Sequence, residues 1–194
     1  MASRRRALLA AVAGAVLVGA CGSDGSTRAA GPTTTSAPIA PSTSDPGGDA
    51  TTTTTSGPAD LPAIDVVELA SGEEVPLPSL AQPGRPTLLW FWAPHCTICR
   101  REAPDLLEFE ASHGDRIDVL GLGAQDSLDE AYGFLDDTDT HDLAMVWDQS
   151  GRSWIHHGVT NQPTVIVLDA DGQVAGTWFR EFDVDGILAA AGLT

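Results

Sequence analysis

The stretch Thr87-Leu88-Leu89-Trp90-Phe91-Trp92-Ala93-Pro94-His95-Cys96-Thr97-Ile98-Cys99 decides how the rest of the chain is read. Thr87 to Trp92 is a nearly continuous apolar run between Pro86 and Pro94. That is the pattern of a central strand covered on both faces, not the alternation of a half-buried one. Cys99, Ala103, Leu106 and Leu107 then recur at helical intervals and predict a helix over 96–112. Cys96 therefore falls at the helix N-terminus, where unpaired backbone N–H groups and the positive end of the dipole stabilise a thiolate. Cys96 is the expected nucleophile. Cys99, one turn further on, lies on the same helix face within disulfide reach and nearer the core.

Two plainer readings of the cysteine pair stay beside this one. Half a zinc site would need two more ligands, yet Cys21 is remote and the histidines at 95, 113, 141, 156 and 157 show no paired metal-ligand spacing. No metal is expected. A purely structural disulfide is the other reading, but a three-residue spacing closes too small a loop to restrict the unfolded chain much.

Outward from the pair, the patterning predicts alternating strands and helices. Residues 64–69 and 75–77 read as a hairpin around Ser71-Gly72, and 117–122 as a second buried strand. Residues 127–135 read as a helix with Ser127 as N-cap and Glu130 at the capping-box position. Residues 145–147 read as a short strand or edge segment, and 150–157 as a short helix ended by Gly158. Strands at 164–168 and 173–179 are joined by the turn Asp169-Ala170-Asp171-Gly172, and a last helix at 183–191 is capped by Asp183 and ended by Gly192. Crossover helices between buried strands imply a parallel portion and the hairpins add antiparallel strands, so the fold class is α/β with a mixed sheet.

The 194 residues include 27 acidic and 10 basic side chains, all of the latter arginine. A net charge of −17 works against a polyanionic partner, so no nucleic acid is expected. Residues 1–21 read as a lipoprotein signal peptide: Arg4 to Arg6, an uncharged stretch to Ala20 too short to span a bilayer, then Cys21. Residues 22–60 are almost entirely Thr, Ser, Pro, Gly and Ala, with Ile39 as a lone large apolar side chain, and are expected to form a disordered linker. Residues 61–194 are left as the single folded domain.

Three motifs in order, Trp90 to Cys99, then Pro104, then Gln162-Pro163-Thr164 ahead of a strand, resemble those of thioredoxin-fold proteins. They are most similar to those of the extracytoplasmic TlpA/ResA/DsbE-like thiol–disulfide oxidoreductases, and Val18-Gly19-Ala20-Cys21 is similar to a bacterial lipobox. The resemblance implies a thioredoxin-like fold with a mixed central sheet flanked by helices and an N-terminal β-hairpin extension. It implies a catalytic set of Cys96, Cys99, Pro163 as a cis-proline, and Glu102 close to the thiols. Trp92, Pro94, His95, Gln162 and Thr164 would contact substrate. Trp90 stands where cytosolic-type thioredoxins carry a buried Asp, so that carboxylate is missing as a proton acceptor. Glu102 is either a tuning group or an exposed first-turn acid, and Arg100 and Arg101 either stabilise a thiolate or form a solvated helix face.

The implied activity is thiol–disulfide exchange with exported proteins, with no cofactor beyond the Cys96–Cys99 couple. A membrane redox partner is expected. Lipidated Cys21 would be the membrane attachment, at the outer face of the bacterial cytoplasmic membrane. Three alternatives remain open: reduction of apocytochrome c or other cysteines, a thioredoxin-fold peroxidase, and a copper-binding metallochaperone.

Overall fold

A computed structural model describes residues 60–194. The expected lipoprotein signal peptide over 1–21, with Cys21, and almost all of the expected linker over 22–60 lie outside the described residues.

Among the described residues the strands are β1 (Asp65–Glu68), β2 (Glu74–Pro76), β3 (Thr87–Trp92), β4 (Asp118–Gly123), β5 (Ala144–Trp147), β6 (Thr164–Leu168) and β7 (Val174–Phe179). The helices are α1 (Thr97–His113), α2 (Leu128–Thr138), α3 (Arg152–His156) and α4 (Val184–Ala190). One sheet carries all seven strands in the order β2-β1-β5-β4-β3-β6-β7. β3, β4 and β5 run parallel, and β6, β7 and the β1–β2 hairpin are antiparallel to their neighbours. The architecture is the mixed α/β sheet flanked by helices that the pattern predicts.

β3 is buried at all six positions because it has a strand on each edge and a layer on each face. Its pleat sends Leu88, Trp90 and Trp92 to the side where α1, α2 and α4 contribute Leu106, Phe134 and Ile187. Leu89 and Phe91 point to the other side, against Leu77, Ile166 and Trp154 of α3. The first layer is aromatic: Trp92 stacks on Phe134 at 4.3 Å between ring centroids, with Trp90 and Trp147 each 6.3 Å from Trp92. Such pairs add about 0.5–1.5 kcal/mol each beyond area burial. A Cβ at Gly123 would lie 2.6 Å from a Trp92 ring carbon, so glycine is what admits the indole there.

β5 is not an edge. β1 pairs with it antiparallel, Val67 opposite Trp147, so the N-terminal hairpin is continuous with the central sheet. An apolar triplet carries no information about a partner some eighty residues upstream. A 3-10 turn, Leu77–Leu80, is also present where no periodicity announces one.

Candidate active site

Cys96 and Cys99 are joined in a disulfide, with 5.3 Å between their Cα atoms. Cys96 is the N-cap of α1, and its sulfur accepts the Cys99 backbone N–H at 3.0 Å. The tight approach from β3, closed by the Cys96 N–H to the Ala93 carbonyl, sets the sulfur over the first turn. Cys96 keeps 6% of its surface exposed and Cys99 none, so the first sulfur is the one a partner reaches. A helix N-terminus that donates to sulfur in the disulfide has the same donor in place for the thiolate.

Glu102 is not an exposed first-turn acid. It is 7% exposed, one turn beyond Cys99 on α1, and its Oε1 accepts the Trp90 indole N–H at 2.8 Å. Burial raises its pKa; the Trp90 bond lowers it in part, and the charge of Asp105 adds to the rise. Trp90, at the position expected to lack an acid, thus brings a carboxyl in from the helix. The bond joins residues 12 apart and has no local sequence signal.

The Gln162–Pro163 peptide is cis, as expected. Thr164 pairs with Phe91 across β6 and β3, which brings Pro163 level with the end of β3, where the chain turns toward Cys96. His95 closes the gap: its Nε2 accepts from the Gln162 side-chain amide at 2.9 Å, and its Nδ1 donates to Asp126 at 2.6 Å.

Of the residues expected to contact substrate, Trp92, Pro94 and Thr164 are buried. Trp92 is fully buried, because strand pleating places it on the α1/α2 face with Trp90. Pro94 is buried, and its carbonyl accepts from the Arg100 guanidinium at 2.8 Å. Thr164 is 7% exposed and turns its hydroxyl to the Asn161 carbonyl at 2.8 Å. His95 remains exposed and Gln162 half-buried. Arg100 is directed away from sulfur: it pairs with Asp137 on α2 and lies over the Phe134 ring at 5.1 Å. Arg101 is exposed.

Among the described residues, Asp60, His156 and His157 form the one group of side chains with the composition of a metal site. It involves neither cysteine. His157 is held neutral, its pKa lowered to about 4 by burial and by the neighbouring His156, against a smaller opposing effect of Asp60.

A thioredoxin-like family model matches residues 84–174, which include both cysteines and the Gln162–Pro163 bond. Over 126 residues the chain is 32% identical to the thiol:disulfide interchange protein DsbE homolog of Paracoccus denitrificans, covering 63% of this chain and 68% of that protein. It spans 45% of the length of the DsbE of Xylella fastidiosa strain Temecula1, to which it is 35% identical over 91 residues, 47% of this chain. Among solved structures, MTB DsbF in its mixed oxidized and reduced forms superimposes with a TM-score of 0.61 and 29% identity, over 71% of this chain and 99% of that one. The pneumococcal exposed lipoprotein thioredoxin Etrx1 of Streptococcus pneumoniae superimposes with a TM-score of 0.58 and 25% identity, over 66% and 97%. Fold and site define a thioredoxin-fold redox protein. The chain belongs to the thioredoxin-like family of thiol:disulfide interchange proteins.

Proposed function

We propose that this protein exchanges disulfides with exported proteins outside the cytoplasm through Cys96 and Cys99. The observation that carries the reading is the Cys96–Cys99 disulfide at the N-cap of α1, with one sulfur presented and one buried. A substrate thiolate attacks Cys96 Sγ; the Cys96–Cys99 bond breaks and its electron pair leaves on Cys99. A second substrate thiolate then attacks the substrate sulfur of the mixed disulfide. Cys96 departs as a thiolate, stabilised by the Cys99 N–H and the helix N-terminus, and the substrate has lost two electrons. Glu102, kept protonated to higher pH by burial and one turn from Cys99, is the nearby acid suited to supply the proton that the Cys99 sulfur takes up. Run backwards, the same steps reduce a substrate disulfide.

Oxidation or isomerisation of exported proteins is the favoured direction. The domain would stand at the end of the 22–60 linker, tethered by lipid on Cys21 and serviced by a membrane redox partner. The lipobox-like Val18-Gly19-Ala20-Cys21 and the likeness to an exposed lipoprotein thioredoxin support the tether.

The test is disulfide formation in a reduced, unfolded protein. Cys96→Ala should abolish it, and Cys99→Ala, offered instead a substrate that carries a disulfide, should accumulate the mixed disulfide formed when the Cys96 thiolate displaces one substrate sulfur, visible on non-reducing gels. Full activity of Cys96→Ala would refute the reading. Cys21→Ala should release the protein from membranes, and retention would refute the lipid tether.

A further inference from the structure

Asp126 lies in the loop between β4 and α2, 31 residues from His95, and one carboxylate oxygen holds that histidine twice: it accepts the His95 backbone N–H at 3.0 Å and the ring Nδ1–H at 2.6 Å. The ring's other nitrogen meets the Gln162 amide nitrogen at 2.9 Å. An amide NH2 only donates, so His95 Nε2 accepts and the ring proton sits on Nδ1, facing Asp126. The three bonds therefore agree on one tautomer and form a single directed chain from Gln162 through His95 to Asp126. It crosses the mouth of the site, tying the residue before the nucleophile to the residue before Pro163. The chain enters this loop with Gln125 at φ 87°, a left-handed conformation that a non-glycine residue adopts only under constraint from its surroundings.

We propose that Asp126 is a positioning residue that, through His95, sets the Gln162 side chain and loop as a preformed wall of the substrate groove, and so governs affinity for polypeptide substrates rather than the sulfur chemistry. This rests on the disulfide-exchange reading above. Thr164 stands opposite Phe91 and Gln162 bonds to His95, the residue before Cys96, so the 160–163 loop borders the approach to the nucleophile, and a polypeptide docking there depends on that loop's pose. A small dithiol reaches Cys96 without it.

The test compares two reductants of the oxidised protein: a reduced, unfolded cysteine-containing polypeptide, and dithiothreitol. A hydrogen bond of this kind is worth about 0.5–1.5 kcal/mol, and the upper end corresponds to roughly tenfold in affinity. Asp126→Ala should raise KM for the polypeptide about tenfold, with kcat and the dithiothreitol rate within about twofold of wild type, and His95→Phe should raise KM for the polypeptide by a similar factor. The double variant should be no worse than either single one, because the chain is already broken. Asp126→Asn, which keeps an acceptor in place, should restore most of the affinity. Equal losses with both reductants, additive losses in the double variant, or an unchanged KM would each overturn the proposal. If Asp126→Ala does not fold, Asp126→Leu, which keeps side-chain bulk without an acceptor for the His95 N–H groups, gives the same readout. A wild-type protein that reacts with dithiothreitol but not with the polypeptide would instead count against the disulfide-exchange reading.

Discussion

Replacing Trp90 by Phe isolates the contact that brings Glu102 to the site. The indole N–H donates to the carboxylate at 2.8 Å, with Trp90 fully buried and Glu102 7% exposed, so water is poorly placed to substitute for it. A hydrogen bond to a charged group is worth about 1.5–3 kcal/mol, and the lost ring volume costs on the order of 1 kcal/mol more. The two costs separate with pH. Glu102 has a raised pKa in the folded state, so the folded protein holds the proton more tightly than the unfolded chain, and the ionised carboxylate opposes folding increasingly as pH rises from 4.5 through the folded value. The Trp90 bond offsets part of that opposition, because it is stronger to the charged carboxylate than to the protonated acid. Trp90→Phe should therefore cost about 1 kcal/mol at pH 4.5 and about 2 kcal/mol more once pH has risen through the folded value of Glu102. In urea unfolding of the oxidised protein, the extra loss of about 2 kcal/mol appears as a further fall of roughly 1 M in midpoint, for a slope near 2 kcal/mol/M. Adding Glu102→Gln should remove the pH dependence. Equal losses at both pH values would show that Trp90 contributes packing alone, and the account of Glu102 would fail.

His157 titrates in the opposite sense. Its folded pKa of about 4 against 6.5 means the unfolded chain takes up a proton first, so its contribution is intact above pH 6.5 and lost as pH falls toward 4. Acid unfolding should show about 1–2 kcal/mol of this loss once partial solvent screening is allowed for, and His157→Phe should remove it; an unchanged acid limb would refute the assignment. Gly123→Ala pushes a methyl to 2.6 Å from the Trp92 ring and should cost about 1–3 kcal/mol, with altered near-ultraviolet tryptophan dichroism; unchanged stability would show that the rings yield freely. Ser127→Ala removes the hydroxyl arm of the α2 capping box, which accepts the Glu130 N–H and donates to the Glu130 carboxylate, and leaves the backbone N–H of residue 127 donating to that carboxylate; it should lower stability by about 1 kcal/mol in thermal unfolding.

The sequence by itself determined what short-range chemistry encodes. The apolar run of β3, the cysteine at the start of α1, the caps at Ser127 and Asp183 and the glycine that ends the last helix are all written within a turn or two of where they act. Boundaries shift by only a residue or so at most ends, although α2 runs three residues past its predicted end to Thr138, because periodic burial and end capping are local properties. Only the tertiary structure decided which way those residues face and what they meet. Strand register turned Trp92 and Thr164 inward, β1 covered β5, burial made Glu102 a partner of Trp90, and an unheralded Asp126 took hold of His95. Each of these depends on groups 12 to 96 residues apart meeting at a few ångströms, as the His156–Asp60 contact also does. Such meetings are selected by the packing of the whole sheet, so no local pattern of residues announces them.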